Sequence, residues 1–389
     1  MEAYEDLNER WGAIADIGGV EELIGWDERT KMPGAGAEAR AEAHATLARL
    51  RHELLIDDGL WEVLERLAPG GADAPEPGTL EADTVAIAHR TVARARQVPS
   101  SLSAEMARAA SRGETAWERA RDASDLGSYL PHLERNIELA REYAACFPDA
   151  EQPYDALLDL WEPGMKTEDV KRILGELRAG LVPIVAAIAE NPDAVDDSLL
   201  SGSFDGVSQR RAVHELVELL PLDEDTWRLD ETVHPFMASP GSGDIRLTTR
   251  FIEGDISFSL FSSLHEAGHG IYEAGVPADL RRTPIGQLQS LSFHESQSRM
   301  WENWVGRSRP YLASALPVLQ RELGGAFGAA SAEDLYRASN KSAPSLVRVE
   351  ADEVTYNLHI ALRFELELEL IDGTLAPADL ADAWAERTR

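Results

Sequence analysis

Residues 263–270 read SLHEAGHG and lie in a segment for which we predict helix from about Ser257 onward. His265 and His269 are four residues apart, so on a helix they share a face and aim both imidazoles at one metal ion. Neutral imidazole is a preferred ligand of zinc. Glu266 is rotated by about 100° from His265, so it flanks the ion instead of binding it. The pattern predicts a zinc site in which Glu266, as general base, takes a proton from metal-bound water.

The two glycines of this stretch are unusual inside a helix, because each lowers helix propensity by about 1 kcal/mol. Their presence predicts that another backbone segment or a substrate approaches closely. The His-Glu-x-x-His pattern also occurs by chance on ordinary helices, and a third ligand decides between the two interpretations. A catalytic zinc site needs that third protein ligand together with one open position.

The third ligand has two known arrangements. One takes a histidine shortly after a glycine, but residues 275–277 read GVP. The other takes a glutamate from a later helix, and residues 293–299, which read FHESQSR, open such a helix. We therefore predict Glu295 as the third ligand. His294 is expected either to bond substrate or a group behind the ligands, or to be a packed structural histidine.

The net charge excludes some classes of partner. The 389 residues include 37 basic and 69 acidic side chains, which gives a net charge of −32. Such a field repels nucleic acid and anionic membranes, so neither is expected as a partner. Nearly all basic residues are arginine, which suggests a halophile; the alternative is an acidic protein from a GC-rich genome. The few lysines are Lys31, Lys166, Lys171 and Lys341.

Features of secreted or membrane proteins are absent from the sequence. It holds no run of about 18 apolar residues of the kind that spans a membrane. Residues 1–6 read MEAYED and lack the basic start and apolar stretch of a signal peptide. Cys146 is the single cysteine, which excludes an intramolecular disulfide and a thiolate zinc cluster. We expect a cytoplasmic protein.

Apolar periodicity predicts a mainly α protein, with one exception. Between residues 226 and 251, Trp227, Leu229, Thr232 and Val233 form one extended run and Ile245, Leu247 and Thr249 a second. Residues 240–243, which read PGSG, separate them, so we predict a small antiparallel β hairpin next to the metal site. No shift in composition marks a domain boundary, so residues 1–389 are predicted to form one unit. The predicted helices of the first half are 4–24, 37–55, 80–97, 102–122, 130–146 and 167–188.

Five stretches in order carry a resemblance to a known family. They are residues 234–236 (HPF), 244–248 (DIRLT), 265–269 (HEAGH), 294–297 (HESQ) and 347–352 (VRVEAD). The chain resembles the carboxypeptidase Taq family of zinc metallopeptidases over nearly its whole length. The resemblance implies release of single amino acids from the C-termini of peptides, zinc or cobalt as cofactor, and a homodimer. It also implies a multi-helix bundle around a deep substrate cleft, with residues 1–220 as cleft wall and 221–389 as the metal-site part.

The resemblance also assigns candidate substrate-binding residues. A carboxypeptidase must recognise a free α-carboxylate, and Arg348 matches the family position for this; a salt bridge from Arg348 to Asp352 is the alternative. Asp244 and Thr248 match positions that buttress or line the site, on a hairpin whose edge suits an extended peptide. Arg246 is expected to bind substrate or to hold the hairpin against an acidic neighbour.

Three more residues are weaker candidates. His234 is expected to line the cleft or to be structural. Tyr356 and His359 are predicted on the same long helix as Arg348, where they either reach the developing oxyanion or pack in the core.

The sequence departs from the family at its C-terminal end. The family continues beyond the match to residues 372–375 with a Gly-x-x-Gln-Asp-x-His-Trp motif and a tyrosine-rich segment, whereas this sequence ends at Arg389. We therefore expect a C-terminally incomplete metal-site part, in which metal binding survives better than catalysis. The alternatives are a related oligopeptidase or dipeptidyl carboxypeptidase, and a catalytically silent metal-binding remnant.

Overall fold

The computed structural model describes residues 2–287, 289–348 and 351–388. The predicted mainly α class is confirmed, with one small sheet. Among the described residues, no helix combines the length and apolar character needed to cross a bilayer. The helices before the sheet are Glu2–Thr30 (α1), Ala37–Leu55 (α2), Asp58–Leu67 (α3), Leu80–Ala95 (α4), Ser100–Ala123 (α5), Leu126–Ala145 (α6), Pro153–Leu158 (α7), Thr167–Ala189 (α8) and Gly206–Glu218 (α9).

The later helices carry the metal-site residues. A turn of π-helix, Met300–Val305, directly follows α11. The helices are Ile256–Gly275 (α10), Leu291–Arg299 (α11), Arg309–Leu323 (α12), Ala332–Ser339 (α13), Tyr356–Asp372 (α14) and Leu380–Arg387 (α15).

The helices predicted from periodicity are all present. The bounds of α2 agree with the prediction at both ends, and α1 continues to Thr30, beyond the predicted end. The shorter helices α3, α7 and α9 were not among those predicted. Asp57 begins α3 by accepting the backbone N–H of Leu60 at 3.0 Å. Its buried residues, Leu60, Val63, Leu64 and Leu67, recur at helical spacing, so packing stabilises a helix too short to form alone.

The sheet has three strands where two were predicted. Trp227–Glu231 (β1), Met237–Gly241 (β2) and Asp244–Thr249 (β3) form a mixed sheet in the order β1-β3-β2. The first and last runs are neighbours as predicted, but β1 and β3 run parallel, and the antiparallel hairpin joins β2 and β3 instead. Pro240, expected in the connecting loop, lies in β2, which is an edge strand and tolerates a residue that donates no hydrogen bond. Gly243, at φ 72°, closes the turn.

The chain divides into two compact units, which the sequence did not indicate. That residues 1–389 act as one unit stays a prediction. The first unit comprises Met1–Gly164, Ala238–Ile245 and Ala274–Leu291. Its core includes Leu7, Trp11, Leu64 and Val92 from α1, α3 and α4. Gly19 of α1 packs against β2: a Cβ added to Gly19 would lie 2.1 Å from the carbonyl oxygen of Pro240, so only glycine fits there.

The second unit comprises Met165–Met237, Arg246–Glu273 and Ser292–Arg389. Its largest fully buried side chains include Leu216, Leu260, Leu264 and Leu312, from α9, α10 and α12. The buried amide of Gln209 donates to the carbonyl of Ile252 at 2.7 Å and accepts from Ser259 Oγ at 2.8 Å. These bonds fix the beginning of α10, the helix that carries His265 and His269.

Candidate metal centre

Helix α10 presents both motif histidines on one face. Leu260, Leu264 and Ala267 are fully buried on α10, so burial of its apolar side sets the rotation of the helix. Thr249, the last residue of β3, holds α10 one turn before His265 through a 2.7 Å hydrogen bond to Ser262 Oγ. The sheet therefore lies beside the candidate centre, as predicted.

Helix α11 passes close to α10 at Gly268. A Cβ added to Gly268 would lie 2.6 Å from Ser298 Cα and 3.0 Å from the carbonyl oxygen of Gln297, both in α11. The close backbone approach predicted from the motif glycines is thus present here. It brings Glu295, one turn before Ser298, next to the two histidines.

The structure brings the three predicted metal ligands together. Glu295 Oε2 lies 3.5 Å from His265 Nε2 and 3.3 Å from His269 Nε2. Donors bound tetrahedrally to one zinc ion at about 2.1 Å are separated by about 3.4 Å. The three donor atoms lie within 4.8 Å of one another. Two imidazole nitrogens and a carboxylate oxygen with these separations fit a single divalent metal ion.

The predicted general base lies next to this group. Glu266 is buried, with 5% of its surface exposed, and directly follows His265 on α10. Its negative charge contributes to raising the pKa of His265. Glu266 is thus within electrostatic range of the centre without belonging to the donor set.

Glu302 and Arg299 contact the predicted ligands and were not predicted from the sequence. Glu302 Oε2 lies 2.9 Å from His265 Nδ1. Arg299 donates to Glu302 Oε2 at 2.8 Å and to Glu295 Oε1 at 3.2 Å. The sequence does contain a pattern that predicts this contact. Positions 295, 299 and 302 are spaced i, i+4 and i+7, which places them on one face of a helix.

Burial and hydrogen bonding have opposite effects on the pKa values of His265 and Glu295. Burial acts to lower the pKa of His265, but hydrogen bonds to Glu295 and Glu302 outweigh it and raise this pKa to about 10. Burial also acts to raise the pKa of Glu295, and the two histidines outweigh it, which leaves the pKa well below its usual range. Burial lowers the pKa of His269. The two carboxylates beside His265 thus favour the protonated form of its ring.

His294 packs behind the ligands. Its ring stacks on His269 with centroids 4.4 Å apart, and its Nε2 lies 3.1 Å from Glu273 Oε1. Tyr272 packs edge-on against the His294 ring at 4.8 Å. Of the roles considered for His294, these contacts favour the packed structural histidine.

Arg348 connects to the centre through Tyr356. Arg348 Nη1 donates to the Tyr356 hydroxyl at 2.5 Å, and the Arg299 guanidinium carbon lies 3.4 Å from the centroid of the Tyr356 ring. Arg299 in turn bonds Glu295, so two side chains separate Arg348 from a predicted metal ligand.

The prediction that Arg348 shares a helix with Tyr356 and His359 is wrong. Asp352 accepts the backbone N–H groups of Val354 at 2.9 Å and Thr355 at 3.2 Å, and this turn lets α14 begin only at Tyr356. His359 is buried on α14, and burial lowers its pKa. Residues 349 and 350 of the family motif lie outside the described residues.

The hairpin candidates have different surroundings. Thr248 is fully buried, and its hydroxyl donates to the Phe236 carbonyl and accepts the Phe236 N–H, both at 2.7 Å. Thr248 therefore holds the HPF stretch against β3; that it buttresses or lines the site stays a prediction. Asp244 and Arg246 are half-buried on β3, and His234 is exposed. Asp244 belongs to the first compact unit, whereas Arg246 belongs to the second, with the metal ligands.

Several known proteins are similar to this chain in sequence. Residues 6–389 match the family described as Carboxypeptidase Taq (M32) metallopeptidase. Thermostable carboxypeptidase 1 of Thermus thermophilus is 40% identical over 396 residues, which cover all of this chain and 77% of the relative. Carboxypeptidase 1 of Bacillus subtilis is 34% identical over 365 residues, which cover 94% of this chain and 72% of the relative.

Solved structures agree with the sequence comparison. The M32 carboxypeptidase from Deinococcus radiodurans matches with a TM-score of 0.86 at 37% identity, over 99% of this chain and 76% of that one. The Pyrococcus furiosus carboxypeptidase matches with a TM-score of 0.87 at 32% identity, over 100% of this chain and 78% of that one. The fold is that of the M32 carboxypeptidases. The chain belongs to the carboxypeptidase Taq (M32) family, which implies a divalent metal and peptide substrates.

Proposed function

We propose that this protein is a zinc-dependent metallocarboxypeptidase that releases single amino acids from the C-termini of peptides. The observation that supports this most is the convergence of His265, His269 and Glu295 beside the buried Glu266. Zinc bound by these three donors would polarise the scissile carbonyl and lower the pKa of the attacking water. Cobalt accepts the same donor set and is a possible replacement.

Glu266 performs the proton transfers in this proposal. Its carboxylate takes the proton from the attacking water and afterwards delivers it to the leaving amine. Burial suits this role, because few solvent molecules compete for the proton. Glu266 contributes no donor to the metal and stays available as a base.

Arg348 recognises the terminal carboxylate in this proposal. A guanidinium binds a carboxylate through two parallel charged hydrogen bonds, which selects peptides with a free C-terminus. The Tyr356 hydroxyl, which accepts from Arg348, holds the guanidinium in a defined orientation. The contact of Tyr356 with Arg299 supports placement of this subsite near the ligands.

Incubation with an N-blocked peptide, followed by mass spectrometry, tests the proposal. We expect stepwise loss of one residue from the C-terminal end, abolished by a chelator and by Glu266→Gln. Release of dipeptides or internal fragments would instead indicate a dipeptidyl carboxypeptidase or oligopeptidase. Zinc binding with no more hydrolysis than Glu266→Gln would identify a silent metal-binding protein.

Further properties inferred for the protein stay predictions. They are the homodimer implied by the family, the cytoplasmic location, and the adaptation to concentrated salt. Sedimentation of the purified protein tests the first, and the salt dependence of stability tests the last.

A further inference from the structure

The two imidazole ligands differ in what supports them. His265 Nδ1 lies 2.9 Å from Glu302 Oε2, and Glu302 is buried. His269 Nδ1 is also buried, but it has no hydrogen-bond partner in the described part of the chain. The ring of His269 is held by stacking on His294 instead.

The Glu302 carboxylate is itself fixed from its other side. Arg299 donates to the same Oε2 at 2.8 Å, and Arg307 Nη2 lies 3.7 Å from Oε1. Arg307 is anchored in turn, because it donates to the carbonyl of Ser339 and packs over the Phe261 ring at 3.7 Å. Two guanidiniums therefore keep the carboxylate in place beneath His265.

We propose that Glu302 is a positioning residue that fixes the tautomer and orientation of His265 for metal binding. A carboxylate with no proton only accepts hydrogen bonds, so Nδ1 of His265 must carry the ring proton of the neutral imidazole. The lone pair is then on Nε2, the atom that faces Glu295. The negative charge also makes Nε2 a stronger donor to the metal. This inference rests on the metal centre of the proposed function.

Glu302→Gln tests this role with little change in shape. Because Oε2 faces both Arg299 and His265, the amide oxygen takes the place of Oε2 and the NH₂ group takes that of Oε1. The variant therefore keeps an acceptor for Nδ1–H but removes the negative charge that makes Nε2 a stronger donor to the metal. We expect zinc affinity, measured by competition with a chromogenic chelator, to fall about 10–100-fold.

Glu333→Gln is the matched control, since it removes the same charge from an exposed pair with Arg309 at 2.9 Å. Metal-free thermal unfolding shows whether each variant is folded. A folded Glu302→Gln protein with the zinc affinity of wild type and of Glu333→Gln would overturn the proposal. A purely structural role would lower the metal-free melting temperature and leave the affinity of the folded protein unchanged.

A measurement on the wild type covers the case in which Glu302→Gln fails to fold. Nitrogen-15 NMR of the zinc-loaded protein should show an Nδ1–H on His265 with the low-field shift of a bond to carboxylate, and no such shift for His269. Absence of that signal on His265 would contradict the proposal. Because these readouts concern metal binding, a protein that binds zinc but releases no amino acid would refute the proposed activity alone.

Discussion

Gly268 of α10 lies directly against Ser298 of α11, so closely that a Cβ on Gly268 would stand 2.6 Å from the Ser298 Cα. Both helices carry predicted metal ligands, and this contact limits how far apart the two helices lie. Gly268→Ala must push α11 outward, because the obstacle is backbone and cannot rotate away. Such overpacking costs about 1–3 kcal/mol.

We therefore expect Gly268→Ala to lower both stability and zinc affinity, the latter by about 10-fold or more if Glu295 shifts with α11. Thermal unfolding and chelator competition measure the two effects. The control is Gly275→Ala, which should leave zinc affinity unchanged. Gly275 is the last residue of α10, and a Cβ added there meets nothing within 4 Å. Equal zinc affinity in the two variants would show that the contact does not set the ligand geometry.

Removal of the carboxylate ligand should weaken metal binding more than any other single change outside the histidines. For Glu295→Gln we expect zinc affinity to fall more than about 100-fold, since loss of a ligand exceeds the effect of its supporting residues. Metal content after dialysis measures this. Ser296→Ala is the neighbouring control, because Ser296 is exposed and bonds the Phe293 carbonyl and Gln297. Full zinc content in Glu295→Gln would exclude Glu295 as a ligand.

Metal affinity should depend on pH through His265. In the metal-free centre its pKa is raised to about 10, so at neutral pH its ring holds a proton that zinc must displace. The proton favours the metal-free state below that pKa, and affinity rises with pH by about tenfold per unit. Titration calorimetry in buffers of different ionisation enthalpy should show about one proton released per zinc ion near neutral pH. A pH-independent affinity between about pH 6.5 and 8.5 would contradict this assignment.

Substitution of Arg348 should affect substrate recognition rather than metal binding. We expect Arg348→Gln to lower kcat/KM by about 100-fold, because two charged hydrogen bonds to the substrate carboxylate are lost. The variant should also lose its preference for free-acid over amidated peptides. Tyr356→Phe keeps the ring under Arg299 and removes only the hydroxyl, so a smaller loss is expected. Unchanged kcat/KM in Arg348→Gln would assign carboxylate recognition to another residue.

The acidic composition should make stability depend on salt. The net charge of −32 destabilises the compact state by self-repulsion, and about 1 M KCl shortens the Debye length to about 3 Å. Exposed ion pairs such as Arg309–Glu333 are also screened, but each contributes little. We expect the melting temperature to rise from dilute buffer to molar KCl. Equal melting temperatures in both would favour the alternative of a GC-rich genome.

The sequence by itself predicted the longer helices and named His265, His269 and Glu295 as candidate metal ligands. Apolar residues at helical spacing set the bounds of α2, and the spacing of His265 and His269 put both on one face, because these are properties of a single helix. Glu295 was found by its position in a motif of a later helix.

Only the tertiary structure decided which side chains support those ligands. Glu302, in the π-helical turn after α11, reaches His265 of α10, and Glu273 of α10 reaches His294 of α11. Both contacts depend on how closely α10 packs against this segment. Strand β2 forms because β3 offers it a partner, in spite of Pro240. Arg348 lies outside the predicted helix because a turn held by the Asp352 carboxylate precedes α14. The periodicity of apolar residues indicates which face of one helix or strand is buried. Hydrogen bonds between helices depend on the distance between them, which a local sequence pattern does not determine.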